Sequence, residues 1–156
     1  MQLLIDEQFL PAATELVKQA CHHIYIATFK AEITTKPRGR QLKKFFDAVA
    51  EQSRLGVDTR LILNRVSKMG SVPITNLYVI KELPKQGIPI HCLPYNRISH
   101  AKLLIVDEFA AIVGSHNLSV KSCHSNFEVS CLTKDPYVVG QLRGIFEQMW
   151  ENTKEA

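Results

Sequence analysis

No apolar run in the chain approaches the ~20 residues needed to cross a bilayer. The first stretch, MQLLIDEQFLPAATELV, has no basic region leading into an uninterrupted apolar core. Neither a transmembrane helix nor a secretory signal is therefore expected, and the cytoplasm is the expected compartment; a chain trimmed of a leader would read the same way. Low-complexity tracts, internal repeats and long charge blocks are also missing, which argues against solenoid and disordered classes. The four cysteines, Cys21, Cys92, Cys123 and Cys131, form no CxxC pair, so they read as free, mostly buried thiols of a reducing compartment. The clusters Cys21-His22-His23, His91-Cys92 and Cys123-His124 match no common zinc spacing. Neither a metal nor another cofactor is expected, and His22 and His23 are expected to end a helix, where an imidazolium suits the negative end of the dipole.

What is present fits one compact domain over residues 1–156. The hydrophobic fraction of 46% and charged fraction of 22% are those of a soluble chain able to bury one core. The net charge of +4 is small, but its distribution is uneven. Lys36, Arg38, Arg40, Lys43 and Lys44 follow Lys30 against a single Glu32, around Pro37 and Gly39. These five are candidate contacts to a phosphate backbone, such as that of DNA or RNA. A solvated face would carry the same charges.

Hydrophobic periodicity orders the chain as alternating helices and strands. A helix over 9–22 buries Ala13, Leu16, Val17 and Ala20; the strand IYIATF follows at 24–29. A second helix, 40–54, puts Leu42, Phe45, Phe46, Val49 and Ala50 on one stripe, and Gly56 ends it before the strand at 59–64. A loop over 66–74, a short helix over 75–85 and a strand at 89–93 come next. Strands at 101–106 and 109–114 are close enough for a hairpin, and 127–133 reads as another strand. The last helix is capped by Asp135, with Pro136 in its first turn and Val138, Val139, Leu142, Ile145, Phe146, Met149 and Trp150 as its core stripe. This alternation predicts an α/β fold in which a mixed β-sheet is sandwiched between α-helices.

The hairpin segment SHAKLLIVDEFAAIVGSHNLS, residues 99–119, carries polar chemistry at its edges. His100 and Lys102 open one strand, and Gly114, Ser115 and Asn117 lie at or past the end of the next. Antiparallel pairing makes those places neighbours, while Asp107 falls at the opposite turn. Taken singly, each has an ordinary reading as a strand-end histidine, a surface lysine or a turn residue. Jointly, six positions at this spacing coincide by chance on the order of once in 10⁶ chains of this length, at average residue usage.

The pattern HxKxxxxD followed by GSxN resembles the HKD motif of the phospholipase D superfamily, matched by His100, Lys102, Asp107, Gly114, Ser115 and Asn117. The likeness extends to IYIATF, to GVDTRLIL and to Asn126–Glu128. Two-motif members need a longer chain; this one has a single motif and is similar to the small endonuclease branch, in which a homodimer joins two motifs. The resemblance implies a metal-independent phosphodiesterase, acting on DNA or RNA through a phosphohistidine. One His100 would be the nucleophile and His100 of a second copy the acid. Lys102, Asn117 and Ser115 would hold the phosphoryl oxygens, and Glu128 would orient the nucleophilic ring. Asp107, at the far turn, would pin the hairpin, and His116 occupies a variable place. A phospholipase or phosphatidyl transferase of the same chemistry, and a nucleic-acid-binding module with little activity, are the alternatives.

Overall fold

The computed structural model describes residues 1–66, 72–94 and 96–155. Of the predicted loop over 66–74, residues 67–71 lie outside the described residues. Among these residues eight strands form one mixed sheet: β1 (Gln2–Ile5), β2 (His23–Thr28), β3 (Asp58–Asn64), β4 (Ile90–Leu93), β5 (Lys102–Val106), β6 (Ala110–Gly114), β7 (Val129–Thr133) and β8 (Lys154–Glu155). Their order across the sheet is β1-β7-β6-β5-β2-β3-β4-β8. The neighbours β2, β3 and β4 are parallel and every other pairing is antiparallel. Among the described residues five α-helices connect or flank the strands: α1 (Phe9–Lys18), α2 (Arg40–Arg54), α3 (Thr75–Glu82), α4 (Val120–His124) and α5 (Pro136–Glu151).

The central strands are apolar along their whole length because both faces of the sheet are covered. On one face Leu10, Ala13 and Val17 of α1 join Leu42, Phe45 and Val49 of α2 over Ile24, Ile26, Leu61 and Leu104. On the other, Val139 and Phe146 of α5 pack on Tyr25, Ala27, Leu103 and Ile105. The expected α/β sandwich is the observed one.

Several boundaries and one environment differ from the sequence reading. The first helix stops at Lys18, and His23 opens β2, buried, rather than ending a helix. The cause is Asp107. Its carboxylate takes the backbone N–H groups of Cys21, His22 and His23, each at 2.8 Å, so none of them can continue the helical ladder. Burial lowers the His23 pKa, against the raising effect of Asp107, so its environment favours the neutral ring and not an imidazolium. On α5, Val138 and Ile145 are exposed although the apolar stripe included them. Among the described residues α5 alone of the helices contributes to the second cluster; it buries fully just Val139 and Phe146 and leaves its flanks uncovered. Alternation did not reveal β1, β8 or α4, which are short.

Candidate active site

His100, Lys102, Ser115 and Asn117 collect where the sheet changes direction. The C-terminal ends of β2 and β3, the entry of β5 and the exit of β6 all lie at one edge, the usual location of sites in open α/β sheets. Thr28, the last residue of β2, pairs with Lys102, the first of β5. Gly114, the last of β6, pairs with Ser130 of β7. Gly114 has to be glycine, because a Cβ there would stand 2.4 Å from the Ser130 Cα. That close approach brings Ser115 onto β7, where it hydrogen-bonds the backbone of Val129 in both directions, accepting from its N–H at 3.0 Å and donating to its carbonyl at 3.3 Å.

Lys102 and His100 form a contact pair. The Lys102 Nζ donates to His100 Nδ1 at 2.8 Å and to the His100 carbonyl at 2.5 Å, and the His100 ring leans on Phe29 at a centroid distance of 4.7 Å. Lys102 is buried whereas His100 is exposed, so the imidazole edge carrying Nε2 faces outward from a fixed base. Because Nδ1 accepts from an ammonium, a neutral ring in this arrangement carries its proton on Nε2. For that nitrogen to attack, the proton must shift to Nδ1, which requires Lys102 to turn away. Burial lowers the Lys102 pKa, and the nearby Glu128 charge opposes that shift.

Asn117 completes the cluster. Its Oδ1 accepts from the Lys30 backbone N–H at 3.1 Å and the Thr28 hydroxyl at 3.4 Å. Its Nδ2 protons, which meet no acceptor among the described residues, remain for a ligand. The Asn117 backbone N–H donates to Ser122 Oγ at 2.9 Å, and Ser119 caps α4 by accepting from the Ser122 N–H. Ser122 in turn donates to Glu128 at 3.0 Å, and Asn126 donates to the same carboxylate oxygen at 2.9 Å. Burial works to raise the Glu128 pKa, but hydrogen bonds from Ser115, Asn126 and Ser122 together with His116 hold it low. Glu128 is thus a buried anion beneath the site. Its carboxylate is taken by Ser122 and Asn126, and the His100 Nδ1 by Lys102, so the expected Glu128–His100 bond is not among the contacts of this single chain.

Asp107 stands apart, five residues along β5 from Lys102, roughly 16 Å at strand rise. It binds the three N–H groups described above and does not reach the cluster. His116, set aside in the sequence, is 2% exposed and stacked on Phe9. Its Nε2 donates to the Asp6 carbonyl at 3.0 Å and its Nδ1 meets the Ser130 hydroxyl at 2.7 Å, which ties the turn after β1 to β7 under the site. Lys36, Arg38, Arg40, Lys43 and Lys44 are exposed and outside the cluster, at the 3₁₀ turn Pro37–Gly39 and the start of α2. Lys43 pairs with Asp47 at 2.7 Å.

Two asparagines that sequence reasoning passed over position the site. Asn64, 1% exposed at the end of β3, donates to the Ser99 carbonyl at 2.9 Å and accepts from its N–H at 2.8 Å, fixing the residue before His100. Asn76 of α3, fully buried, donates to the Phe29 carbonyl and accepts from the Ala31 N–H, both at 3.0 Å. The available signal was a polar residue closing the apolar strand TRLILN. No group of three or more His, Cys, Asp or Glu side chains that could hold a metal ion occurs among the described residues. No helix among them is long and apolar enough to cross a membrane.

Known proteins resemble the chain in sequence and in fold. Residues 14–150 match the family model described as cardiolipin synthase, PLD-like domain. The chain is 30% identical over 111 residues to phospholipase D Y of Dictyostelium discoideum, an alignment covering 67% of this chain and 24% of that protein. It thus spans about a quarter of the length of this curated relative. Among solved structures, the phospholipase D family member Nuc of Salmonella typhimurium superposes with a TM-score of 0.79 at 15% identity, covering 99% of this chain and 97% of Nuc. NucT of Helicobacter pylori gives 0.71 at 16% identity, covering 99% and 98%.

Proposed function

Since the chain belongs to the phospholipase D superfamily, we propose that it is a phosphodiesterase acting on nucleic acid without a metal ion, with a site completed by a second copy of itself. The observation that carries this reading is the cluster at the β5 entry. An exposed His100 sits on a buried Lys102, and Asn117 is bound to Thr28, the strand partner of Lys102. Cleavage needs a nucleophile, a proton for the leaving oxygen, and positive charge on the non-bridging oxygens. One cluster supplies the charge and one histidine.

The second histidine is assigned to a second copy. Nε2 of one His100 attacks phosphorus, forming the P–N bond as the P–O bond breaks, and the other His100, entering as the imidazolium, gives its proton to the leaving alkoxide and becomes neutral. That second ring then takes a proton from water, whose oxygen displaces the first histidine. When Lys102 swings to a phosphoryl oxygen it releases Nδ1, so substrate binding itself favours the attacking tautomer. The second copy has a surface to meet. Leu3, Cys131 and Val113 lie in register with Leu103 on the α5 face of the sheet, and Ile5 and Val129 extend that face to Ser115. Leu3, Ile5, Val113 and Val129 are 60, 41, 38 and 39% exposed, an apolar strip running up to the site.

The exposed basic residues favour a polyanion, and the likeness to phospholipase D Y favours a lipid phosphodiester. An incubation in EDTA with single- and double-stranded DNA, RNA and phosphatidylcholine vesicles separates them, with His100→Ala as control. Nucleic-acid cleavage that survives EDTA and vanishes in His100→Ala is expected. A strict need for Mg²⁺, or turnover of the vesicles alone, overturns the assignment.

A further inference from the structure

A groove enclosing about 760 Å³ opens between the 3₁₀ turn Pro37–Gly39 and α3, with Ile33, Lys36, Arg38, Thr75 and Tyr78 in its walls and Val120 at its inner end. Its lining is tied to the segment that carries Asn117. Lys30 donates its backbone N–H to the Asn117 side chain, Glu32 donates its own to the Leu118 carbonyl at 2.9 Å, and Val120 N–H donates to the Glu32 carboxylate at 2.9 Å. Asn76 holds the other wall by binding Phe29 and Ala31. Glu32 is paired with Lys30 at 2.7 Å, so the acidic group of the groove is neutralised. Lys36 and Arg38 have no carboxylate partner among the described residues. Tyr78 is 56% exposed, beside the likewise exposed Leu77 on α3.

We propose that this groove binds single-stranded nucleic acid on its way from the His100–Lys102–Asn117 cluster, with Lys36 and Arg38 on successive phosphates and a base stacked on the Tyr78 ring. The inference rests on the phosphodiesterase reading for the position of the scissile phosphate. Charge and shape select the occupant. A glycerophospholipid places its phosphate at Lys102 and Asn117 and would then offer acyl chain to two cations. A polynucleotide brings a further phosphate with every nucleotide. A duplex keeps its bases stacked on each other and shows the groove only its backbone, leaving the exposed tyrosine unmet; a single strand offers base faces.

Fluorescence anisotropy tests this with labelled oligothymidine and a labelled duplex, titrated against the full chain carrying His100→Ala so that nothing is cut. Oligothymidine is expected to bind more tightly than the duplex. Adding Tyr78→Ala should weaken oligothymidine binding on the order of tenfold, Tyr78→Trp should retain it, and Lys36→Ala with Arg38→Ala should flatten its salt dependence. A thermal melt of each variant confirms folding. Equal binding of strand and duplex, no effect of Tyr78→Ala in a folded protein, or Tyr78-dependent capture of phosphatidylglycerol vesicles in place of oligothymidine overturns the proposal. The two readings fail separately. Tyr78-dependent binding of oligothymidine by a protein whose wild type cuts no nucleic acid keeps the groove and removes the hydrolysis. Cleavage of oligothymidine with binding indifferent to Tyr78 does the reverse.

Discussion

Lys102 shows what a single side chain is asked to do at this site. In the proposed role it must stay charged to hold a phosphoryl oxygen, yet it is 9% exposed and burial lowers its pKa, with the Glu128 charge opposing the drop. A lysine whose folded pKa is lowered loses its proton earlier as pH rises, so activity should fall on an alkaline limb below the ordinary lysine range. Glu128→Gln removes the opposing charge and should move that limb to lower pH, visible in a pH–rate profile with bis(p-nitrophenyl) phosphate. Lys102→Met should lower kcat by roughly 10²–10³, the usual cost of one oxyanion donor. An unchanged limb in Glu128→Gln would separate the two groups electrostatically. At this scale the sequence was informative about types and less so about contacts. His100, Lys102 and Asn117 were legible from spacing because strand pairing converts spacing into proximity. Asn64 and Asn76 were not, because their bonds to Ser99, Phe29 and Ala31 span 35 to 47 residues and leave no local pattern.

Elements are held in register by a few polar residues at their ends. Asp107, in the β5–β6 turn with φ +50, adopts a left-handed conformation that aspartate and asparagine tolerate better than most residues. Burial acts to raise its pKa, but the N–H groups of His23, Cys21 and His22 bind the carboxylate and the net shift is downward. A carboxylate with a depressed folded pKa contributes stability that is present above its unfolded value, about 4, and lost as pH falls through the lower folded value. Asp107→Asn keeps the turn conformation and one acceptor but loses the charge, so it should cost about 1–3 kcal/mol at pH 7. Urea titrations at several pH values should show the gap to wild type closing below about pH 4. A gap that persists at pH 2 would place the effect in the turn geometry instead. The long helices and central strands could be read from periodicity, since both faces of the sheet and one face of each helix are buried. The end of α1 could not, because an aspartate 84 residues beyond His23 captures the N–H groups that would have extended it.

The whole molecule leaves one side of its sheet unfinished. Over β2 and β5 the α5 face is covered, yet over β6, β7 and β1 it shows Val113, Val129, Ile5 and Leu3, and the adjoining Val138 and Ile145 of α5 are exposed as well. Trp150 lies on the opposite flank of that helix, stacked on His91 of β4. A single chain therefore carries an apolar strip and a site with one histidine, two deficits that a two-fold partner would meet together. If the strip seats the second copy, Leu3→Glu should weaken the dimer without touching the cluster, since Leu3 is on the edge strand and carries no site contact. Sedimentation should then show monomer at concentrations where wild type is dimeric. Activity per chain should fall with dilution in both proteins, at higher concentration in the variant, and recover as the variant is concentrated. A fully active Leu3→Glu monomer would mean that one His100 serves as both nucleophile and acid. A dimer indifferent to Leu3→Glu would move the interface to another face while leaving the chemistry of the cluster as described.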